Sequence, residues 1–321
     1  MNKYIKMLLI TFVALFGVNI KANAVVVNFS NSGWSGGTIY KYADGVNSNV
    51  ALCEFWLEDG RAAFCLEYGA DAITGTDLPK TDILEYFKKG LTETQAKALV
   101  TQINKYIYFG YGSEGMTSEK HYIATQKLIW EAISKSGFYS STYYTNNVAK
   151  YSFKTLTFKH SNGTAVDVSN EVKAIEDAIK AHETKPSICS TTKSVALYDK
   201  ISLEDTNKVL SQYKLTCPEG LKCKIADNKL EIESEKSGEG KKITFTKDAV
   251  GTATEMHKNS SYQGVVIAEG KVDAISCDLT INVEESNPET GGANILLILM
   301  IGLFCGMVAY ITYNSSHKKE I

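Results

Sequence analysis

The apolar residues of this chain keep helical spacing through its middle and strand-like spacing on either side, and that division limits the fold more than any other feature. From about 80 to 183 they recur at helical intervals. Thr92-Glu93-Thr94-Gln95 is a capping box, and Ala96, Leu99, Val100, Ile103 and Ile107 follow it on one face. Thr117 and Ser118 open a second helix carrying Tyr122, Ile123, Gln126, Ile129, Trp130 and Ile133. Its apolar groups occupy more than one face, so it is expected to be well buried. Ser169 caps a third, with Val172, Ile175, Ala178 and Ile179 on one side. YFGYG, at 108–112, is a glycine-rich helix exit. From about 190 the period shifts toward two: KSVALY, KLEIE, KKITFT, YQGVVIA and VDAISCDLTINV read as strands, with turns at Asp227-Asn228 and Gly238-Glu239-Gly240. AVVVNFS and the flanks of Cys65 also favour strand. The expectation is an α+β chain: a β-sandwich or barrel with a helical subdomain at about 80–183 and a β-rich, immunoglobulin-like part or insert at about 190–285.

The two ends place this segment outside a cell. Residues 1–24 carry Lys3 and Lys6, a short apolar run and Ala22-Asn23-Ala24, the pattern of a cleaved secretory signal. Residues 286–291 contain Asn287-Pro288-Glu289-Thr290-Gly291, followed by an apolar stretch at 294–313 and a basic tail at 314–321. That stretch is long enough for a transmembrane helix, with the lysines cytoplasmic. The bland alternative is a plain single-pass anchor.

Export changes how the cysteines read. Six lie between the ends, at 53, 65, 189, 217, 223 and 277, in a setting that permits disulfides. Cys217 and Cys223 bracket CPEGLKC, a short turn that a bridge would close, and Cys189 and Cys277 flank strand-like runs and could close a β unit. Cys53 and Cys65 could be a third bridge. The net charge of −2, more negative once the lysines before residue 25 are removed, makes nucleic acid an unlikely partner. The cysteines lack paired CxxC spacing and no HExxH occurs, so neither a metal nor another cofactor is expected.

Three short motifs then fall in order. Phe64-Cys65-Leu66 is aromatic-Cys-apolar; Thr125-Gln126-Lys127-Leu128-Ile129-Trp130 fits TQxAΦW with Leu128 in the alanine place; Tyr262-Gln263-Gly264-Val265-Val266-Ile267 fits ΦQxxΦΦ. With the export signal and anchor, the chain resembles the thioester-domain adhesins of Gram-positive bacteria over 25–285, and NPETG resembles an NPxTG sortase signal. The resemblance implies an internal thioester between Cys65 and Gln263, supported by Gln126, Trp130 and Phe64, with Gln126 a candidate to hold the acyl carbonyl. It implies a cell-surface adhesin that reacts with a lysine amine on a host or matrix protein. A sortase would cut between Thr290 and Gly291 and join the protein to cell-wall peptidoglycan. Such a device reacts once and is not a turnover enzyme. Gln212, in LSQYKL, is the second-ranked partner for Cys65.

Two other classes compete. One is a non-covalent, disulfide-braced, immunoglobulin-like binding or stalk protein. The other is a cysteine enzyme with Cys65 as nucleophile and His121 or His160 as base; His182 and His257 sit in polar runs that read as exposed.

Overall fold

A computed structural model of the chain describes residues 25–31, 39–43, 50–70, 75–147, 153–259, 263–285 and 292–317. The expected signal peptide at 1–24 and the NPETG segment, with Thr290 and Gly291, lie outside the described residues. The chain divides into two compact units: Met1–Thr184 with Asp248–Ile275, and Lys185–Lys247 with Ser276–Ile321.

The first unit opens with β1 (Val25–Asn31), β2 (Ile39–Ala43), β3 (Val50–Ala51), β4 (Cys53–Leu57), β5 (Ala62–Cys65), β6 (Thr76–Leu78) and β7 (Lys80–Thr81). Helices α1 (Ile83–Lys88), α2 (Glu93–Phe109), α3 (Glu119–Lys135) and α4 (Thr142–Asn147) follow. A hairpin, β8 (Leu156–His160) and β9 (Ala165–Val166), then interrupts what the sequence reads as a purely helical middle, before α5 (Ser169–Glu183). The hairpin completes a four-stranded sheet ordered β3-β2-β8-β9.

After residues 185–247 of the second unit, the chain re-enters the first unit as β16 (Val250–Gly251), β17 (Met256–His257), β18 (Val265–Ile267) and β19 (Lys271–Val272). The principal sheet is ordered β6-β1-β4-β5-β18-β17-β7, so its centre joins an early strand to a late one.

All four residues of β5 are buried, which suits an apolar strand covered on both faces. On α3, Tyr122, Ile123, Gln126, Leu128, Ile129, Trp130 and Ile133 are all buried, as its many-sided apolar pattern requires. Its partner α2 starts at the Thr92–Gln95 capping box and buries Ala96, Leu99, Ile103 and Ile107. It ends at Gly110, where an added Cβ would stand 2.3 Å from Tyr106 O and 2.4 Å from Thr125 Oγ1. The YFGYG exit is therefore glycine so that α3 can approach. Tyr111 N then donates to Thr125 Oγ1 at 2.9 Å, fixing the turn to α3.

Among its described residues, the regular elements of the second unit are strands, one short 3₁₀ turn and the C-terminal helix. β10 (Thr192–Ala196), β12 (Lys214–Thr216), β15 (Gly238–Lys247) and β20 (Ile275–Glu284) form a sheet ordered β10-β20-β15-β12; β11 (Lys200–Glu204), β13 (Leu221–Ala226) and β14 (Lys229–Ser234) form another. Alternate residues such as Leu230, Ile232, Ile243, Phe245, Leu279 and Ile281 are buried, the pattern of two sheets with one wet face each. Cys189–Cys277 and Cys217–Cys223 are disulfides of this unit. No disulfide joins Cys53 to Cys65: Cys65 Sγ is engaged by Gln263 instead.

A helix, α6 (Gly292–His317), carries the C-terminal apolar run, and its described side chains at 298–313 are exposed. Among the described residues no helix is long and apolar enough to cross a membrane. The expected span at 294–313 is thus not supported among the described residues.

Candidate functional site

Cys65 ends β5, and its strand neighbour is β18. The register pairs Ala63 with Ile267, Phe64 with Val266 and Cys65 with Val265. One further backbone bond, Leu66 N to Gly264 O at 2.9 Å, carries the ladder past the strand ends. Side chains alternate across a strand, so Gln263 shares a face with Val265 and hence with Cys65. A diagonal neighbour on an antiparallel pair is within reach of a long side chain. Gln263 makes that reach: its Oε1 stands 2.6 Å from Cys65 Sγ, across 198 residues of sequence. Both side chains are buried, Cys65 at 1% and Gln263 at 6% exposure.

A separation of 2.6 Å is closer than the ~2.7–2.8 Å typical of O–H···O bonds. Sulfur is a larger atom than oxygen, so an ordinary thiol–carbonyl hydrogen bond would be longer. Oxygen and sulfur approach this closely when both are attached to one carbonyl carbon.

The backbone around the sulfur is held from several sides. Cys65 N donates to Gln126 Oε1 and Gln126 Nε2 donates to Cys65 O, each at 2.8 Å. The glutamine of the TQxA-like motif thus clamps the cysteine's peptide groups. It does not hold the Gln263 carbonyl, which corrects the expectation for its role. Tyr122 OH donates to Ala63 O at 2.8 Å and accepts from Phe55 N at 3.0 Å. Tyr139 OH donates to Leu66 O at 2.7 Å, and Tyr144 OH to Tyr68 O at 2.8 Å. Burial keeps the Tyr122 and Tyr139 hydroxyls protonated well above the usual phenol range, so both remain donors.

Glu67 contacts both Cys65 and Gly264. Its backbone N–H donates to Cys65 Sγ at 3.3 Å. Its side chain, buried at 2% exposure, accepts from Gly264 N at 2.7 Å and from Lys258 Nζ at 2.7 Å, and from Tyr86 OH on its other oxygen.

The remaining expected residues divide cleanly. Phe64 points to the opposite face, stacked on Tyr122 with centroids 4.9 Å apart. Trp130 sits edge-on to Tyr68 at 5.5 Å, a contact within the core. Gln212 belongs to the second unit, is exposed, and accepts from Lys247 Nζ at 2.9 Å. His121 Nδ1 pairs with Ser118 Oγ at the start of α3. His257, expected on the surface, is fully buried, with Nδ1 3.1 Å from Leu78 O. It lies in a strand paired on both sides, which its polar sequence neighbours do not reveal. Among the described residues, no group of three or more His, Cys, Asp or Glu is placed to hold a metal.

Sequence reasoning missed Glu67, Lys258, Tyr86, Tyr139 and Tyr144. Glu67 left one signal, an acidic residue inside the apolar run FCLEYG; the tyrosines left only their abundance, 18 in all.

Comparison with known proteins bears on the fold. Residues 62–185 match a family model described as "TED: Thioester domain". The matched segment contains Cys65 and Gln126 but stops short of Gln263. Among solved structures, the thioester domain of the Staphylococcus aureus TIE protein aligns with TM-score 0.52 and 21% identity, over 82% of this chain and 100% of that one. The Bacillus anthracis TIE protein aligns with TM-score 0.36 and 15% identity, over 81% of this chain and 49% of that one. The thioester domain of the Enterococcus faecium TIE86 protein gives 0.30 and 18%, over 78% and 95%. No curated protein matches the sequence. The fold is of the thioester-domain type, mixing helices with several sheets.

Proposed function

We propose that Cys65 and Gln263 form an internal thioester, and that the chain uses it to attach covalently to another protein. The observation that carries this is the 2.6 Å approach of Gln263 Oε1 to Cys65 Sγ on a shared sheet face. In forming the bond, Sγ attacks the Gln263 side-chain carbonyl carbon. The C–N bond breaks, the thiol proton goes to nitrogen, and ammonia leaves. An amide is a poor acyl donor, so the step depends on enforced proximity, which can act like about 10⁵ M or more of reactant. The clamp of Gln126, Tyr122 and Tyr139 on the 63–66 backbone supplies that rigidity.

Once formed, the thioester awaits a primary amine. A lysine of a host or matrix protein attacks the Gln263 carbonyl. A C–N bond forms, the C–S bond breaks, and the amine proton passes to sulfur. The Glu67 N–H at Sγ favours charge on the departing sulfur. Each molecule reacts once, so the protein is an attachment device and not an enzyme. The reading extends to an exported surface protein with residues 1–24 as signal. A sortase would cleave between Thr290 and Gly291 and link Thr290 to peptidoglycan, with 294–313 as a membrane anchor before sorting.

Intact mass of the full-length chain tests the core of this. Loss of one ammonia beyond the hydrogens of two disulfides is expected, followed by addition of one methylamine at Gln263 and release of an alkylatable Cys65. C65A should show neither. A wild-type chain that keeps its ammonia and ignores methylamine would leave a disulfide-braced, non-covalent binding or stalk protein as the reading.

A further inference from the structure

The strand pair that carries the proposed thioester has a second feature at its other end. β5 and β18 run antiparallel, so Cys65 and Gln263 mark one end and Ala62 and Ala268 the other, where Ala268 N donates to Ala62 O at 2.8 Å. At that far end lies a cleft of about 770 Å³, whose lining includes Trp56, Arg61, Tyr108, Tyr111, Glu114 and Glu269. Aromatic walls with a few polar groups, at this volume, suit a small ligand. The strand from Ala62 to Cys65 spans roughly 10 Å.

The polar wall is built on the one arginine of a lysine-rich chain. Arg61 Nη1 donates to Glu269 Oε1 at 2.6 Å, while Nε and Nη2 each stand 2.8 Å from Asp59 Oδ2. Glu269 Oε2 accepts from Thr252 Oγ1 at 3.2 Å. Each terminal guanidinium nitrogen carries a second N–H, for which no described residue supplies an acceptor. The aromatic wall is fixed as well. Trp56 stacks on Tyr122 with centroids 5.9 Å apart, meets Tyr111 edge-on at 5.8 Å, and donates from Nε1 to Glu54 at 3.4 Å. Trp56, Tyr108 and Tyr111 are only half-buried, so part of each ring still meets solvent.

Ligand classes meet this lining differently. An anion would meet the carboxylates of Glu114 and Glu269 beside the single guanidinium. A cation would meet that guanidinium, which Asp59 and Glu269 hold charged, raising its pKa further. A neutral polyhydroxylated ring meets neither cost. Each hydroxyl both donates and accepts, so a vicinal pair can take an N–H from Arg61 and give a hydrogen bond to Glu269. The ring's C–H face can pack on an aromatic side chain. We propose that this cleft is a reversible carbohydrate site, where a neutral sugar ring packs on the Trp56–Tyr111 wall and its vicinal hydroxyls bridge Arg61 and Glu269. The site stands without the thioester. Together with it, a glycosylated partner would be held by its sugar on the strand pair that carries Gln263.

A glycan array probed with the full-length chain tests this. The array carries neutral polysaccharide fragments, neutral protein-linked oligosaccharides, and sialylated and sulfated glycans, so the class retained names the source. Retention on at least one neutral glycan is expected, competed by the free sugar. R61K keeps the charge but not the planar fork. It should leave the melting transition in place and weaken retention at least about tenfold, the worth of a lost hydrogen bond to a charged group. W56L should weaken it as much, and either variant decides alone where the other does not fold. C65A should bind as wild type does. No retention on neutral glycans, retention on acidic glycans only, or retention unchanged in the folded variants would overturn the site. Loss of binding in C65A would overturn it too, by assigning capture to the thioester. Ammonia loss and methylamine uptake, read on the same preparation, report separately on the thioester.

Discussion

Gln126 shows how much one side chain can do at the residue scale. Its carboxamide pairs with both peptide groups of Cys65, as a neighbouring strand would, although it comes from a helix. Each buried peptide group left unpaired would cost about 1–3 kcal/mol, so the clamp fixes the sulfur's position firmly. Glu54 behaves differently. It is buried on β4, and among the described residues its Oε1 has no hydrogen-bond partner. Burial, opposed by the Trp56 hydrogen bond and aided by the charge of Glu119, raises its pKa from 4.5 to about 7. The folded chain therefore binds this proton more tightly than the unfolded chain does. The resulting stability is complete below the unfolded value and fades as pH rises through 7. E54Q should remove that dependence. From pH 5 to 8 its urea-unfolding free energy should gain on wild type by about 2 kcal/mol, since a tenfold difference in proton affinity is worth about 1.4 kcal/mol; a constant difference would disprove the assignment.

At the scale of elements, the β16–β19 strand pair matters as much as the strands that carry the site. It brackets β17 and β18 in sequence and packs against the second half of α2. Gly270 makes that contact possible: an added Cβ would stand 2.3 Å from Asn104 O and 2.9 Å from Tyr108 N, both backbone atoms. Gly251, at φ +79°, faces Gly270 O even more closely. G270A should therefore destabilise the chain by about 1–3 kcal/mol, since helix backbone cannot rotate away as a side chain can. Ammonia loss should fall in the same variant, because β18 would no longer be held on β5. Denaturant unfolding and intact mass on one preparation would check both. The surrounding helices were legible beforehand: Thr92–Gln95 and the spacing of Ala96, Leu99, Ile103 and Ile107 define α2 without any tertiary information. The β8–β9 hairpin was not, because Leu156–His160 sits between helices and gains its identity by pairing with β2, far away in sequence.

At the scale of the whole molecule, the chain leaves its first unit at residue 184, builds a second, and returns at 248. Cys189–Cys277 joins the start of the second unit to the strand that resumes it at 276, and the loop it closes, 88 residues in separation, contains Gln263. Cross-linking a loop of that length removes about 4 kcal/mol of unfolded-state entropy. Reduction with a phosphine, which spares a thioester from thiol exchange, should lower the melting transition of the full chain by several degrees. C217S/C223S should lower it less, because its loop spans a separation of only 6. Equal effects would contradict the loop-length account.

The sequence by itself determined what local physics can write. Period and the Thr92 and Ser118 caps marked α2 and α3, alternation marked the strands after 190, and spacing offered Cys217–Cys223 and Cys189–Cys277 as possible bridges. The motif resemblance also brought Cys65 and Gln263 forward as a pair. Only the tertiary structure decided that they share a sheet face, that Gln126 grips the cysteine's backbone, and that the Glu67 carboxylate accepts from both Lys258 and Gly264. The reason is register. A pairing between strands 198 residues apart is set by the packing of everything between them, and no local propensity records it.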